Sequence, residues 1–99
     1  MSGNIGILPD GTLPAGLDAQ SRLALDNTVA ALKLAGCTLD DVFKCTVMLS
    51  DMNDWPAFNL IYMEYFPASR LPARSAFGTT GLALGALVEL ECLAKPPSA

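Results

Sequence analysis

The chain is expected to fold as an α+β domain: a mixed β-sheet with two helices packed on one face, in the order β-α-β-α-β-β. Three observations lead there. Residues 17–35 and 55–65 carry apolar side chains at helical spacing with no glycine inside. Alternating, β-rich runs stand before, between and after them, and the last two runs are joined without a helix. The length, 99 residues, leaves room for one core, so the chain is read as a single domain over residues 1–99.

The elements follow in order. Residues 3–8 contain the apolar run Ile5 to Leu8 and are expected to form a strand; "PDG" at 9–11 then turns the chain, Pro presetting φ and Gly accepting positive φ. From Leu17 to Ala35, Leu25, Val29 and Leu32 fall on one helical stripe, while Asp18, Arg22, Asp26 and Lys33 lie largely off it. Gly36 supplies the C-terminal stop. In "DDVFKCTVMLS" (40–50), Phe43, Cys45, Val47 and Leu49 alternate with Val42, Lys44, Thr46 and Met48, the pattern of a strand. In "DMNDWPAFNLIYMEYF" the Asp and Asn residues offer caps and Pro56 suits a first helical turn. Phe58, Ile61, Tyr62 and Tyr65 then share one side of a helix over 55–65, which Pro67 prevents from continuing. "ARSAFG", a Gly/Thr loop and "ALVELECLA" complete the chain. In the last segment Val88, Leu90, Cys92 and Ala94 face one way, Leu87, Glu89, Glu91 and Leu93 the other.

Composition bounds the function. Apolar residues make up 52% and charged ones 16%, against about 45–50% and about 25% in ordinary domains. Two helices cover one face of a sheet, so the excess predicts that another subunit covers the second. The net charge is −4, and the bases stand singly at Arg22, Lys33, Lys44, Arg70, Arg74 and Lys95, so no nucleic-acid-binding stripe is expected. No histidine is present, which excludes Ser–His–Asp and Cys–His catalysis and removes the commonest metal ligand. Cys37, Cys45 and Cys92 have neither zinc-site spacing nor an even count, so they are read as free thiols filling apolar space. No signal peptide or membrane span is legible, and a cytoplasmic location is expected.

One cation stands out. Arg74 sits in "LPARSAFG", a run that otherwise reads as buried strand. A guanidinium keeps its charge, so wherever it is partly buried it requires an anion. That anion is Glu89, Glu91, a carboxylate of another chain, or a ligand carboxylate held by the fork. Glu89 and Glu91 themselves read either as a solvated face or, if one is sequestered, as a proton shuttle. Asn59 reads as an exposed helix position, Trp55 as a packing anchor, and Tyr62 and Tyr65 as core or interface aromatics.

"PARSAF", the glycine-containing loop and "GALVELECLA" together resemble the C-terminal signature of the RidA (YjgF) family. "SGNIG" is similar to its early S-G-Q-I segment, and "LDNTVAALKLAGCTLDDVFKCTVMLSDMNDWPAFNLIYMEYF" resembles its helix–strand–helix middle. The resemblance spans essentially the whole chain. It implies a chorismate-mutase-like fold and homotrimers whose sheets face inward, with ligand clefts between subunits. It also implies hydrolytic deamination of reactive 2-imino and enamine acids to 2-oxo acids and ammonia, without a cofactor or metal. On this likeness the carboxylate-binding arginine is Arg74 and the glutamate of the terminal strand is Glu89. The helix-two asparagine is Asn59, and the early Ser-Gly is Ser2 and Gly3. Backbone groups at Ser75 and Ala76 would help to place substrate and water; Ala76 stands where many members have cysteine. Members also carry an N-terminal hairpin with a G-P-Y segment whose tyrosine lines the cleft, and a chain starting at "MSGNIG" is expected to lack it. The competing expectation is a trimer that binds small carboxylates, such as 2-oxo acids, without turning them over. A ribonuclease role suits neither the acidic balance nor the absence of histidine.

Overall fold

The computed structural model describes residues 4–96. Strand β1 (Asn4–Ile5) leads to helix α1 (Leu17–Leu34), strand β2 (Val42–Leu49), helix α2 (Trp55–Tyr65), strand β3 (Ala73–Gly78) and strand β4 (Val88–Ala94), with a short 3-10 turn in each connection after α1. The sheet order is β1-β4-β2-β3, with β4 antiparallel to β1 and β2, and β3 parallel to β2. This is the expected α+β architecture, with both helices packed against one face.

The core lies between that face and the helices. Cys45, Val47 and Leu49 from β2 and Val88, Leu90 and Cys92 from β4 meet Leu25, Leu32, Phe58, Tyr62 and Phe66, all fully or almost fully buried. Burying each large side chain contributes about 1.5–3 kcal/mol. At the end of α1, Gly36 takes φ +76°, Cys37 N donates to Leu32 O (2.8 Å) and Gly36 N to Lys33 O (3.1 Å). That pair of bonds is a Schellman stop, and it folds Cys37 back into the core beside Leu32.

Several local expectations change. The opening strand is shorter than residues 3–8: pairing covers Asn4 and Ile5, and Gly6 then passes so close to α1 that a Cβ there would collide with the Gln20 carbonyl. Asn27 holds this segment by donating to Ile5 O and Ile7 O at 3.3 and 3.1 Å. Val29 is 37% exposed, because the buried stripe of α1 runs through Gln20, Ser21, Ala24, Leu25, Thr28 and Leu32. Its polar members are mostly satisfied: Gln20 accepts from Leu87 N and donates to Pro14 O, and Thr28 Oγ1 donates to Ala24 O. In β2, Phe43 is 55% exposed and Val42 is buried instead, since a register irregularity between Val42 and Lys44 shifts the alternation there.

No described element covers the other face of the sheet. Thr46 and Met48 of β2, Ser75 and Phe77 of β3, and Glu89, Glu91 and Leu93 of β4 lie on it. Phe77 is 46% and Leu93 38% exposed.

Candidate functional site

Arg74 is in register with Cys45 on the neighbouring strand, so its side chain leaves the sheet on the helix-bearing face. There it meets α2. Trp55, Asn59 and Tyr62 stand at i, i+4 and i+7 and therefore share one stripe of that helix. The guanidinium carbon lies 4.7 Å from the Trp55 ring centroid and 4.5 Å from that of Tyr62. Nη1 donates to Asn59 Oδ1 at 2.7 Å. The guanidinium thus contacts both rings, each cation–π contact contributing about 0.5–2 kcal/mol.

Among the described residues no carboxylate forms an ion pair with Arg74. Its fixed partners are two rings and a neutral amide. A guanidinium without a resident carboxylate keeps N–H groups of the kind that take a ligand carboxylate through parallel N–H···O bonds.

Glu89 is placed elsewhere. It sits opposite Met48 on β2 and Ile5 on β1, on the outer face of the sheet beside Glu91. Strand β2 separates β4 from β3, and the faces are opposite, so one chain does not bring Glu89 to Arg74. Both glutamates are half-buried. Ser75 follows Arg74 and is exposed on the outer face; Ala76 is half-buried on the helix side. Their strand is an edge, bonded to β2 alone among the described strands, so its outward backbone groups are free to take a ligand or another chain. Ser2 and Gly3 lie outside the described residues.

The structure thus joins Arg74 to Asn59, and adds Trp55 and Tyr62, which sequence reasoning treated as packing residues. The i, i+4, i+7 spacing that unites these three was legible; nothing in the sequence said that Arg74 would be the residue they meet. Tyr62 is fully buried, its hydroxyl has no hydrogen-bond partner among the described residues, and burial pushes its phenol well above the ordinary range.

Surface hollows lie away from Arg74. One of about 420 Å³ is lined by Val29, Lys33, Cys37 and Leu39, one of about 390 Å³ by Leu17, Arg22, Ile61 and Glu64, and one of about 370 Å³ by Asn4, Ile5, Leu8 and Asn27. Among the described residues no group of three acidic or cysteine side chains is gathered to hold a metal, and no helix is long and apolar enough to cross a membrane.

The fold defines a small α+β protein, and comparison with known proteins gives its family. A model described as Endoribonuclease L-PSP matches residues 1–95. The chain is 42% identical over 96 residues to the 2-iminobutanoate/2-iminopropanoate deaminase of Mus musculus, covering 95% of this chain and 70% of that protein. The Homo sapiens protein of the same name is 38% identical over 96 residues, with 95% and 69% covered. Among solved structures, a protein of the conserved Rid family, YyfA from Yersinia pestis, superposes with a TM-score of 0.90 at 40% identity, covering 94% of this chain and 75% of that one. E. coli TdcF with bound serine gives 0.86 at 33% identity, with 94% and 76% covered. The chain belongs to the RidA (YjgF) family, the family that the Endoribonuclease L-PSP model describes.

Proposed function

We infer that this chain is a hydrolytic deaminase of 2-imino and enamine acids, working as a homotrimer at clefts between subunits. The observation that carries the reading is the Arg74 guanidinium, clamped by Trp55, Tyr62 and Asn59 and supplied with no carboxylate by the described residues. Relatives named 2-iminobutanoate/2-iminopropanoate deaminase support the reaction, and serine bound to TdcF supports a ligand of the amino-acid class.

Each chain carries two half-sites. Arg74, Asn59 and the backbone at Ser75 and Ala76 form one at the β3 edge; Glu89 belongs to the other, beside β1, where Ser2 and Gly3 are expected to contribute. These halves face away from each other within a chain, so a complete cleft needs Glu89 of one subunit opposite Arg74 of its neighbour. The uncovered outer face, with Phe77 and Leu93, is where subunits would pack.

In that cleft Arg74 grips the substrate carboxylate and fixes the adjacent imine carbon. Water adds to this carbon, helped by Glu89 as proton acceptor; the resulting carbinolamine takes a proton on nitrogen and expels ammonia, leaving the 2-oxo acid. The imine is electrophilic already, so one carboxylate is sufficient assistance. The net charge of −4 and the lack of histidine do not favour ribonuclease chemistry.

The test is to follow ammonia and 2-oxobutanoate released from freshly generated 2-iminobutanoate, with molar mass measured in the same sample. Wild type is expected to be a trimer that accelerates release, and Arg74→Ala a trimer that does not. An Arg74→Ala protein as fast as wild type removes the assignment. A second reading, a trimer that binds 2-oxo acids without turnover, is favoured by the separation of Glu89 from Arg74 within one chain. Calorimetric binding of 2-oxobutanoate with no rate above background would select it.

A further inference from the structure

A second chemically active cluster lies directly behind Arg74. Cys45 of β2 and Cys92 of β4 are direct cross-strand partners on the helix-bearing face, both fully buried, with their sulfurs 3.1 Å apart. Directly opposed residues of an antiparallel pair have Cα atoms about 4.5–5.5 Å apart, inside the span of about 4.4–6.8 Å that a disulfide bridges. The strands therefore need only settle slightly for the bond to close. The remaining thiol, Cys37, belongs to another corner, at the end of α1, where its sulfur contacts Ala35 O at 3.8 Å.

We propose that Cys45 and Cys92 form a reversible redox pair, a dithiol that a hydroperoxide converts to an intrachain disulfide linking β2 to β4 beneath the arginine site. Of the two, Cys45 is the attacking group. Hydrogen bonding from the Cys92 thiol lowers its pKa, and Cys45 stands in register with Arg74, whose charge acts in the same direction. The hydrogen bond with the Cys45 sulfur, and burial after it, push Cys92 the other way. Cys45 thiolate attacks one peroxide oxygen, breaking the O–O bond and leaving a sulfenic acid and hydroxide. Cys92 sulfur then displaces the sulfenic oxygen, which departs as water once protonated. In sum, two S–H groups and one hydrogen peroxide give one S–S bond and two waters. Access is through β3, an edge strand bonded to β2 alone among the described strands, whose local opening uncovers Cys45. The pair thus oxidises more slowly than a surface thiol. Once formed, the bond closes a loop containing α2 and β3, the elements that hold Arg74.

The proposal is independent of whether the chain deaminates, and mass spectrometry tests it. Native protein is treated with excess hydrogen peroxide, quenched, unfolded, alkylated with N-ethylmaleimide and cut with trypsin, whose sites at Lys44, Arg70 and Arg74 separate the three cysteines. The expected result is a monomer lighter by two hydrogens, with only Cys37 alkylated and the Cys45 and Cys92 peptides joined. Dithiothreitol restores all three thiols, and the oxidised form melts roughly 10 °C or more higher. Cys37→Ser keeps the cross-link, whereas Cys45→Ser and Cys92→Ser each leave the other thiol of the pair alkylatable. Three alkylated cysteines after a treatment that fully oxidises an exposed thiol overturn the proposal. So do a link to Cys37, a link between chains, or sulfinic acid at Cys45 without a cross-link.

Discussion

Two arginines of this chain show how the same side chain is used in two ways. Arg22, on the outer side of α1, is saturated with carboxylate: Nε donates to Asp18 at 3.1 Å, and Nη1 and Nη2 donate to the two oxygens of Glu64 on α2 at 2.9 and 3.1 Å. Glu64 is held below the usual carboxylate range by that guanidinium. Arg74, on the edge strand, has aromatic rings and one amide in place of those acids. Arg22 is a solvated clasp between two helices, of a kind that contributes little to stability. Arg74 is held rigid without being neutralised, which is what a binding fork needs.

The comparison can be broken in several places. The largest effect is expected for Tyr62→Ala, which empties a fully buried ring position and removes one side of the Arg74 clamp. It should cost about 3–5 kcal/mol in urea unfolding; a loss within experimental error would mean that the ring carries neither core nor clamp. Next comes Arg74→Ala, expected to lower kcat/KM for 2-iminobutanoate by about 100-fold, the scale of a lost bidentate carboxylate contact, with the fold intact by circular dichroism. Arg22→Ala should leave that rate at the wild-type value; equal losses in both variants would erase the distinction drawn here.

Asn59→Asp sharpens the contrast, because it hands Arg74 a resident carboxylate and makes it resemble Arg22. Ligand affinity for 2-oxobutanoate is expected to fall about tenfold with little change in melting. Unchanged affinity would show that the acid recognised by this protein binds elsewhere. The smallest effect concerns the Arg22 corner. Tyr65 donates to Asp26 Oδ1 at 2.7 Å, and burial, with that carboxylate, pushes its phenol from 10.0 up to about 12. The unfolded chain loses this proton first, so the stabilisation is full below pH 10 and is lost as pH rises towards about 12. Tyr65→Phe should flatten stability across that window, and a curve superimposable on wild type would refute the linkage.

Much of the fold was legible. Uninterrupted Leu/Ala periodicity and Gly36 bounded α1, Pro56 and Pro67 bracketed α2, and "ARSAFG" and "VELECLA" fell on β3 and β4. The failures were local. Strict alternation groups Phe43 with the buried Cys45, Val47 and Leu49, and a register irregularity takes it out of that set. Apolar spacing puts Val29 on one stripe with Leu25 and Leu32, but it ignores satisfied polar groups such as Thr28 and Gln20, which take the buried positions. The site was half legible: the arginine announced itself as a charge in an apolar run, and its helix partners only as an unassigned stripe.

By itself the sequence determined the elements, their order, the absence of histidine chemistry and the family, since these depend on residue type and short-range spacing. Tertiary structure decided what surrounds Arg74 and that Glu89 stands on the opposite face, and it set Cys45 against Cys92. Those facts follow from strand order and register, which bring together residues 15 and 47 positions apart; local preference carries no record of such distant neighbours.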